Sequence, residues 1–448
     1  MPAAPPTPPP DDTAAPVVPP EGGGGGPRFL RALRARNYRL FFCGQVISLV
    51  GTWMTMTASG WLAYKLEGSA LLLGVVGFAS QAPIFFLSPL AGVWADRVDK
   101  RKLLLGTQAA SLLQSGALAA LTLTGHINVW SLVALNVLQG LINAFDLPVR
   151  QAFVIHLVDR REDLGNAIAL NSSMFNLARL LGPALGGLLI ARVGVGMCYL
   201  IDALSYVAVL VSLARIVPRP SALAAERAAE QANRAGHALA EFVAGLRYVR
   251  GFPPIGATLA LVAATALTGF AAPVLLPVLA SDVFGGDART LGWLMSASGV
   301  GALGGAIYLS TRAGIRGLGK VITLGGLALG LGLIGCGFCR ALAPAMACLV
   351  CTGVGGVLLM ASCNTVVQSL VDDDKRGRVM SLFSMAFTGT TPLGNLVIGA
   401  LAGKALGVQG ALWLAGACCV LCALLYLLRL PGLRVQAAPV LERLENMG

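Results

Sequence analysis

Three charged residues, Asp146, Arg179 and Asp202, occur in stretches of the sequence that are otherwise apolar. A carboxyl group in such surroundings can take up and release a proton, and an arginine can tune a neighbouring carboxyl group or bind an anion. One interpretation is that Asp202 or Asp146 carries a proton, while Arg179 tunes it or meets an anionic substrate. The other interpretation is that Arg179 and Asp202 form a structural ion pair whose charges cancel.

The stretches that hold these residues are long enough to cross a lipid bilayer. Of the 448 residues, 56% are hydrophobic and only 12% are charged, and the mean hydropathy is +0.75. A helix needs about 20 apolar residues to span a bilayer. We therefore expect an all-α membrane protein with twelve transmembrane helices, near residues 40–64, 70–95, 102–123, 129–147, 166–191, 195–216, 255–280, 290–310, 320–339, 343–367, 378–403 and 408–428.

Basic residues are concentrated in alternate loops between the predicted helices. The loop after the second helix contains Arg97, Lys100, Arg101 and Lys102, whereas Lys65 is the only basic residue of the loop before that helix. The positive-inside rule then places both termini in the cytoplasm. The formal net charge of +12 is spread over these loops and forms no single basic face, which argues against binding to nucleic acid.

The order of the segments predicts two related six-helix halves. The tripeptide Leu-Val-Asp precedes the fifth helix at 157–159 and the eleventh at 370–372. Such a parallel repeat implies a pseudo-two-fold axis and a central cavity between the halves. The expected divisions are a disordered cytoplasmic tail at 1–27, a first half at 28–216, a cytoplasmic linker with an amphipathic helix at 217–254, a second half at 255–430 and a cytoplasmic tail at 431–448.

The loop after the second predicted helix contains Gly92, Asp96, Arg97, Arg101 and Lys102 in the pattern Gly-x-x-x-Asp-Arg-x-x-x-Arg-Lys. This pattern resembles the loop motif of the major facilitator superfamily. A carboxylate at this position can cap the positive N-terminal end of the eleventh helix and so hold the two halves together at one end. The alternative is a solvated basic loop that serves topology only.

A second set of residues surrounds the fourth, fifth and eleventh predicted helices. Together they resemble the exporter branch of the same superfamily, which includes the enterobactin exporter and macrolide efflux permeases. The resemblance extends from about Arg31 to Leu428 and implies the major facilitator fold. The residues that carry it are Asp146-Leu-Pro148-Val-Arg150-Gln151-Ala152-Phe153, the segments 166–172 and 175–187, and Arg376-Gly377-Arg378-Val-Met380-Ser381.

Gly182, Pro183, Gly186 and Gly187 in the fifth predicted helix are similar to the motif associated with antiporters of this superfamily. Proline frees a backbone carbonyl group and bends a helix, and glycine lets a neighbouring helix approach closely. A bend there can seal the central cavity on one side. The alternative is that the motif provides tight packing and nothing more.

The fourth predicted helix departs from the pattern of many proton-coupled members of the superfamily, because Asn136 stands where they have arginine. A direct transfer of their proton mechanism is therefore in doubt. Asn136, Gln139 and Arg150 join the three charged residues above as candidates for coupling or substrate contact. Neutral polar side chains expected to line the cavity are Gln45, Gln81, Gln108, Gln114 and Asn143.

These observations predict an ion-coupled exporter of the bacterial cytoplasmic membrane. It would work by alternating access as a monomer, with protons as the coupling ion, on a small amphipathic substrate such as a siderophore or a drug. We expect no cofactor, no metal site and no enzymatic activity, since no nucleophile is paired with a base. Two alternatives stay open: a facilitator or importer of a small metabolite on the same fold, and a membrane accessory protein that does not transport.

Overall fold

The computed structural model describes residues 28–95, 98–154, 157–158, 161–216, 238–312, 314, 317–372 and 375–445. Twelve helices in these residues are long and apolar enough to span a membrane, which confirms the predicted all-α membrane fold. They are α1 (Arg36–Glu67), α2 (Ala70–Ala95), α3 (Lys100–Leu123), α4 (Val129–Val154), α5 (Arg161–Val193), α6 (Val195–Arg215), α7 (Pro253–Val283), α8 (Ala288–Ser310), α9 (Leu318–Phe338), α10 (Leu342–Leu370), α11 (Arg376–Gly403) and α12 (Gly407–Glu445).

Helix packing repeats between the first half, α1–α6, and the second half, α7–α12. In the first half α1 packs on α5 and α6, α2 packs on α4, and α3 packs on α6. The corresponding helices of the second half form the same pairs, since α7 packs on α11 and α12, α8 on α10, and α9 on α12. The two halves meet mainly where α5 packs on α8 and where α2 packs on α11. This arrangement has the pseudo-two-fold symmetry that the repeated tripeptide predicts.

The hydrophobic core differs between the two ends of the bundle. We call the end where α1 begins and α6 ends the terminal end, and the opposite end the distal end. At the distal end one core joins both halves, with Trp61 and Leu73 in the same cluster as Leu275 and Leu294. At the terminal end each half has a core of its own. Within the described residues, the two halves therefore share one core at the distal end and have separate cores at the terminal end.

α7 is broken, whereas the sequence pattern predicts one continuous helix over 255–280. Regular helix covers Pro253–Leu267, a 3-10 turn covers Ala272–Leu275, and a π-helical turn covers Leu279–Val283. Pro273 and Pro277 explain the break, because a proline has no N–H to continue the helical hydrogen bonding. The break lets Gly394 of α11 lie directly against the carbonyl group of Leu267.

The segments outside the two halves are described only in part. Residues 1–27 and 217–237 lie outside the described residues, so the predicted tail and most of the predicted linker stay predictions. At the other end, α12 continues to Glu445, so the predicted tail at 431–448 begins as helix.

A linker helix, Ala238–Gly251, covers the predicted amphipathic segment and packs against α11. Gly245 faces Arg378 and Leu382 of α11. The Tyr248 hydroxyl donates a hydrogen bond of 3.3 Å to Asp372, and burial raises the pKa of Tyr248, which keeps it a neutral donor. The linker helix is thus attached to the second half.

Candidate functional site

α5 packs against α1 on one face and against α8 on another. Gly182 and Gly186 lie against Trp53 and Met54 of α1. The next residue, Gly187, crosses Gly292 of α8 so closely that a Cβ on Gly187 would lie 3.0 Å from the Gly292 Cα atom. The helix-5 motif therefore fits α5 between α1 and α8, and it does so at the distal end of the bundle.

A second glycine crossing joins the halves on the opposite side of the pseudo-two-fold axis. Gly74 of α2 faces Gly399 of α11, and a Cβ on Gly399 would lie 3.0 Å from the Gly74 Cα atom. Near these crossings the Tyr64 hydroxyl of α1 donates a 2.5 Å hydrogen bond to Asp282 of α7. The two crossings and this hydrogen bond close the distal end.

The α5–α8 interface opens toward the terminal end. Along the face of α8 that meets α5, Gly292, Ser296 and Gly299 are buried, whereas Leu303 and Ser310 are exposed. On α5, Ser172 and Phe175 are exposed and Arg179 is half-buried, and the Phe175 ring packs edge-on against Trp53 of α1. We call the resulting opening the vestibule and define it by Ser172, Phe175 and Arg179 of α5 together with Leu303 and Ser310 of α8.

Arg179 lies at the closed end of the vestibule. Its backbone carbonyl and Leu180 face Gly299 of α8, and Leu180 O accepts a 2.9 Å hydrogen bond from Ser296. The Arg179 side chain is half-buried and makes no hydrogen bond or ion pair with the described part of the chain. Helical spacing places it between the face that meets α1 and the face that meets α8. The vestibule therefore ends at a cationic side chain.

Asp146 of α4 is 1% exposed and lies in a dense set of partners in the first half. Arg150, one turn along the same helix, forms an ion pair with it. Thr107 and Gln108 of α3 each donate a 2.8 Å hydrogen bond to the Asp146 carboxylate. Arg150 also donates a 3.1 Å hydrogen bond to Gln45 of α1. Asp146 is therefore a buried carboxylate with its own counter-charge.

Asp202 of α6 is also 1% exposed, but no cation is paired with it within the described residues. Ser115 of α3 donates a 2.7 Å hydrogen bond to one carboxylate oxygen. The other oxygen has no hydrogen-bond partner, and it faces Gly51 of α1, where a Cβ would lie 2.6 Å away. The interpretation of Arg179 and Asp202 as an ion pair is wrong, because Arg179 lies at the vestibule and Asp202 lies between α1, α3 and α6.

The polar residues of α4 lie on two different faces of the helix. Asn136 donates to the Leu132 carbonyl group of its own helix, and Gly140 packs on Ser80 and Pro83 of α2. Gln139 lies on the other face, toward α3, where it donates to Ser111 over 3.3 Å. Gln139 therefore belongs to the same polar region as Asp146, and Asn136 does not.

The prediction that neutral polar side chains line the cavity is wrong for three of them. Gln45, Gln108 and Gln114 are buried inside the first half. They lie between α1, α3 and α4, where their amide groups bond to other buried polar groups. The sequence pattern could not distinguish these positions from the cavity, because it does not fix the rotation of each helix about its axis.

The loop motif is only partly described. Asp96 and Arg97 lie outside the described residues, as do the surroundings of Gly92, which belongs to α2, so the predicted contact with α11 stays a prediction. Arg101 donates hydrogen bonds of 2.9 and 2.6 Å to the carbonyl groups of Leu213 and Ala214 and so caps the end of α6. Lys102 donates its backbone N–H to Asp99, the N-cap of α3.

Within the described residues there is no group of three or more histidine, cysteine, aspartate or glutamate side chains that could hold a metal ion. All ten cysteines are free thiols. The candidates for chemistry within the bundle are the charged side chains Asp146, Arg150, Arg179 and Asp202.

In the part of the chain that the structure describes, twelve membrane-spanning helices share one core at the distal end of the bundle and have separate cores at the terminal end. This arrangement, with Arg179 between the two halves, is typical of a membrane transporter. Residues 29–445 match the family model described as transmembrane secretion effector, and the chain belongs to this family. The predicted resemblance to exporters of the major facilitator superfamily is confirmed, and the protein is an efflux-type transporter of small molecules, not an enzyme.

Two curated relatives and one solved structure illustrate the similarity. The staphyloferrin A transporter of Staphylococcus aureus is 27% identical over 362 residues, which cover 80% of this chain and 88% of the relative. The multidrug efflux pump Tap of Mycolicibacterium fortuitum is 29% identical over 372 residues, 79% of this chain and 86% of the relative. A POT family transporter crystallised with a thioalcohol-conjugated peptide has a TM-score of 0.68 at 13% identity, covering 89% of this chain and 96% of that one, which shows the shared fold.

Proposed function

We propose that the protein exports a small amphipathic molecule, siderophore-like or drug-like, across the bacterial cytoplasmic membrane by alternating access coupled to inward movement of protons. The observation that carries this proposal is the contrast between the joined core at the distal end and the separate cores at the terminal end. The basic loops lie at the terminal end, and the positive-inside rule supports a cytoplasmic position for that end. The vestibule then faces the cytoplasm, as an exporter needs when it loads its substrate.

The composition of the vestibule supports an amphipathic substrate with an anionic group. Phe175 and Leu303 offer exposed apolar surface, and Arg179 offers a charge at the closed end. Arginine binds a carboxylate through paired hydrogen bonds. The names of the two relatives, a siderophore transporter and a multidrug pump, support the same range of substrates.

The first half supports coupling to protons, because Asp146 and Asp202 are both buried there. To test coupling, the purified protein is placed in liposomes with a pH gradient, and movement of staphyloferrin A and of fluorescein is measured together with internal pH. We expect substrate to move opposite to protons in the wild type. Asp202→Asn should lose transport driven by the pH gradient and keep exchange of substrate for substrate, which requires no net proton movement.

The control for coupling is Asp287→Asn, which alters an exposed carboxylate at the distal end and should move both substrate and protons at the wild-type rate. Substrate transport without any proton movement in the wild type would contradict proton coupling. Failure of both compounds to move in either direction would contradict the proposed substrate range.

Arg179 gives a second test, directed at substrate chemistry. Arg179→Ala should reduce binding of fluorescein and leave binding of its methyl ester unchanged, because only fluorescein itself carries the carboxylate. A hydrogen bond to a charged group contributes about 1.5–3 kcal/mol, so we expect roughly a tenfold loss or more in affinity. Fluorescence polarisation with the purified protein measures both compounds.

Arg192→Ala is the matched control, since Arg192 is an exposed arginine at the distal end of the same helix. It should leave both affinities unchanged. Equal losses for fluorescein and for its ester in Arg179→Ala would show that Arg179 does not bind the carboxylate.

A further inference from the structure

One face of α3 is polar although it is buried. Thr107, Gln108, Ser111, Gln114 and Ser115 are all buried, and their spacing places them on the same side of the helix. This face points into the first half, between α1, α4 and α6. We call these five residues together with Gln139 of α4 the polar seam.

The polar seam connects the two buried carboxylates. Gln108 donates to Asp146, and Ser115, seven residues further along α3, donates to Asp202. At a rise of 1.5 Å per residue these two points are about 10 Å apart along the helix. Between them, Gln139 of α4 donates to Ser111 over 3.3 Å.

Unpaired polar atoms are concentrated along this path. Within the described residues, buried side-chain atoms with no hydrogen-bond partner include Gln108 Oε1, Gln139 Oε1 and Asp202 Oδ1. Arg150 Nε, beside Asp146, is a further such atom at one end of the path, and Thr55 lies beside Asp202 at the other end. Buried polar atoms in folded proteins are normally satisfied by protein groups or by ordered water. The positions of these atoms therefore suit water molecules inside the seam.

The two buried carboxylates differ in whether a positively charged side chain lies beside them. Asp146 is paired with Arg150, whereas the groups that face Asp202 are neutral. On its own helix these are Cys198, Tyr199 and Tyr206. α1 contributes Gly51 and Thr55, and α3 contributes Ser115. A buried carboxylate that is ionised and has no counter-charge is very costly even where hydroxyl groups surround it, so Asp202 is stable there when it carries a proton.

We infer that Asp202 stores the proton of the transport cycle and that water in the polar seam conducts this proton between Asp202 and the Asp146–Arg150 pair. Asp202 gives its proton to a water molecule of the seam, and the other end of the water chain delivers one proton to the Asp146 carboxylate, so that protons and charge balance. The use of this path in transport rests on the proposed function, but the proton on Asp202 and its path do not require transport.

Infrared spectroscopy of the protein in lipid tests the inference without any substrate. The C=O stretching band of a protonated carboxylic acid should be present in the wild type and in Asp146→Asn, and it should be lost in Asp202→Asn. After transfer to D2O the band shifts as the proton is replaced by deuterium. Ser111→Val should slow this shift by about 10-fold, the factor that corresponds to one hydrogen bond lost from the path.

Gln139→Leu interrupts the seam from α4 and should slow the shift of the C=O band as Ser111→Val does. If one of the two variants fails to fold, the other still tests the inference. The matched control is Ser362→Val, because Ser362 is a buried serine of α10 in the second half whose hydroxyl also has no partner. It should exchange at the wild-type rate. A band that persists in Asp202→Asn, or wild-type exchange in both seam variants, would overturn the inference. Since the readout needs no transport, it stays decisive even if the proposed export activity fails its own test.

Discussion

Gly292→Val is expected to shift the protein toward the conformation that is open at the distal end and to lower transport. A Cβ on Gly292 would lie 2.6 Å from the Pro183 carbonyl oxygen, so α5 and α8 can no longer cross at their present distance. Overpacking of this kind costs about 1–3 kcal/mol, which corresponds to a shift of roughly 5- to 150-fold in the equilibrium between the two conformations. The overlap is relieved when the distal ends separate, so the penalty falls on one conformation only.

Pulsed electron paramagnetic resonance between labels at positions 192 and 287, in a background without native cysteines, measures this separation. The matched control is Gly304→Val on the same helix, because a Cβ on Gly304 would meet no atom within 4 Å. Gly304→Val should keep the wild-type distance distribution. If Gly292→Val also keeps it, the glycine crossing does not set the position of the halves.

Arg150→Ala is expected to destabilise the protein strongly. It leaves the Asp146 carboxylate buried without its counter-charge, and removal of one partner from a buried pair costs about 3–5 kcal/mol. The double variant Asp146→Asn, Arg150→Ala should recover most of the loss, because asparagine can remain in the same hydrogen bonds without a charge. The unfolding temperatures of the wild type, Arg150→Ala and the double variant are measured in detergent. Unfolding is monitored by the reaction of buried cysteines as they become exposed.

The comparison for Arg150→Ala is Arg289→Ala, which breaks an ion pair whose side chains are 51% and 56% exposed. Exposed pairs contribute at most about 1 kcal/mol, so Arg289→Ala should unfold close to the wild-type temperature. If the double variant is as unstable as Arg150→Ala alone, the loss comes from packing of the arginine and not from the charge of Asp146.

The sequence predicts the twelve spans well because a membrane helix must be apolar over its whole length. The break in α7 could also have been predicted from the sequence, because Pro273 and Pro277 occur four residues apart within it. The pairing of Asp146 with Arg150 could have been found in the same way, because residues four apart lie on the same side of a helix.

The position of the other charged residues could not be predicted, because it depends on how each helix is rotated against its neighbours. Arg179 and Asp202 are both in apolar stretches, yet one lies at the vestibule and the other lies inside the first half. Likewise, the chain contains 56 glycines, and their number gives no indication that Gly74, Gly292 and Gly399 form the crossings between the halves. These features follow from packing between distant segments.

The vestibule residues have a consequence for how such proteins diverge. Phe175 and Leu303 are exposed, and Phe175 packs on Trp53 within its own half. The halves are held together elsewhere, at the glycine crossings. Substitutions at these two positions can therefore change which compounds are accepted at a small cost in stability. Proteins of this family can therefore acquire a new substrate through a few vestibule substitutions, while selection preserves the glycine crossings and the buried carboxylates.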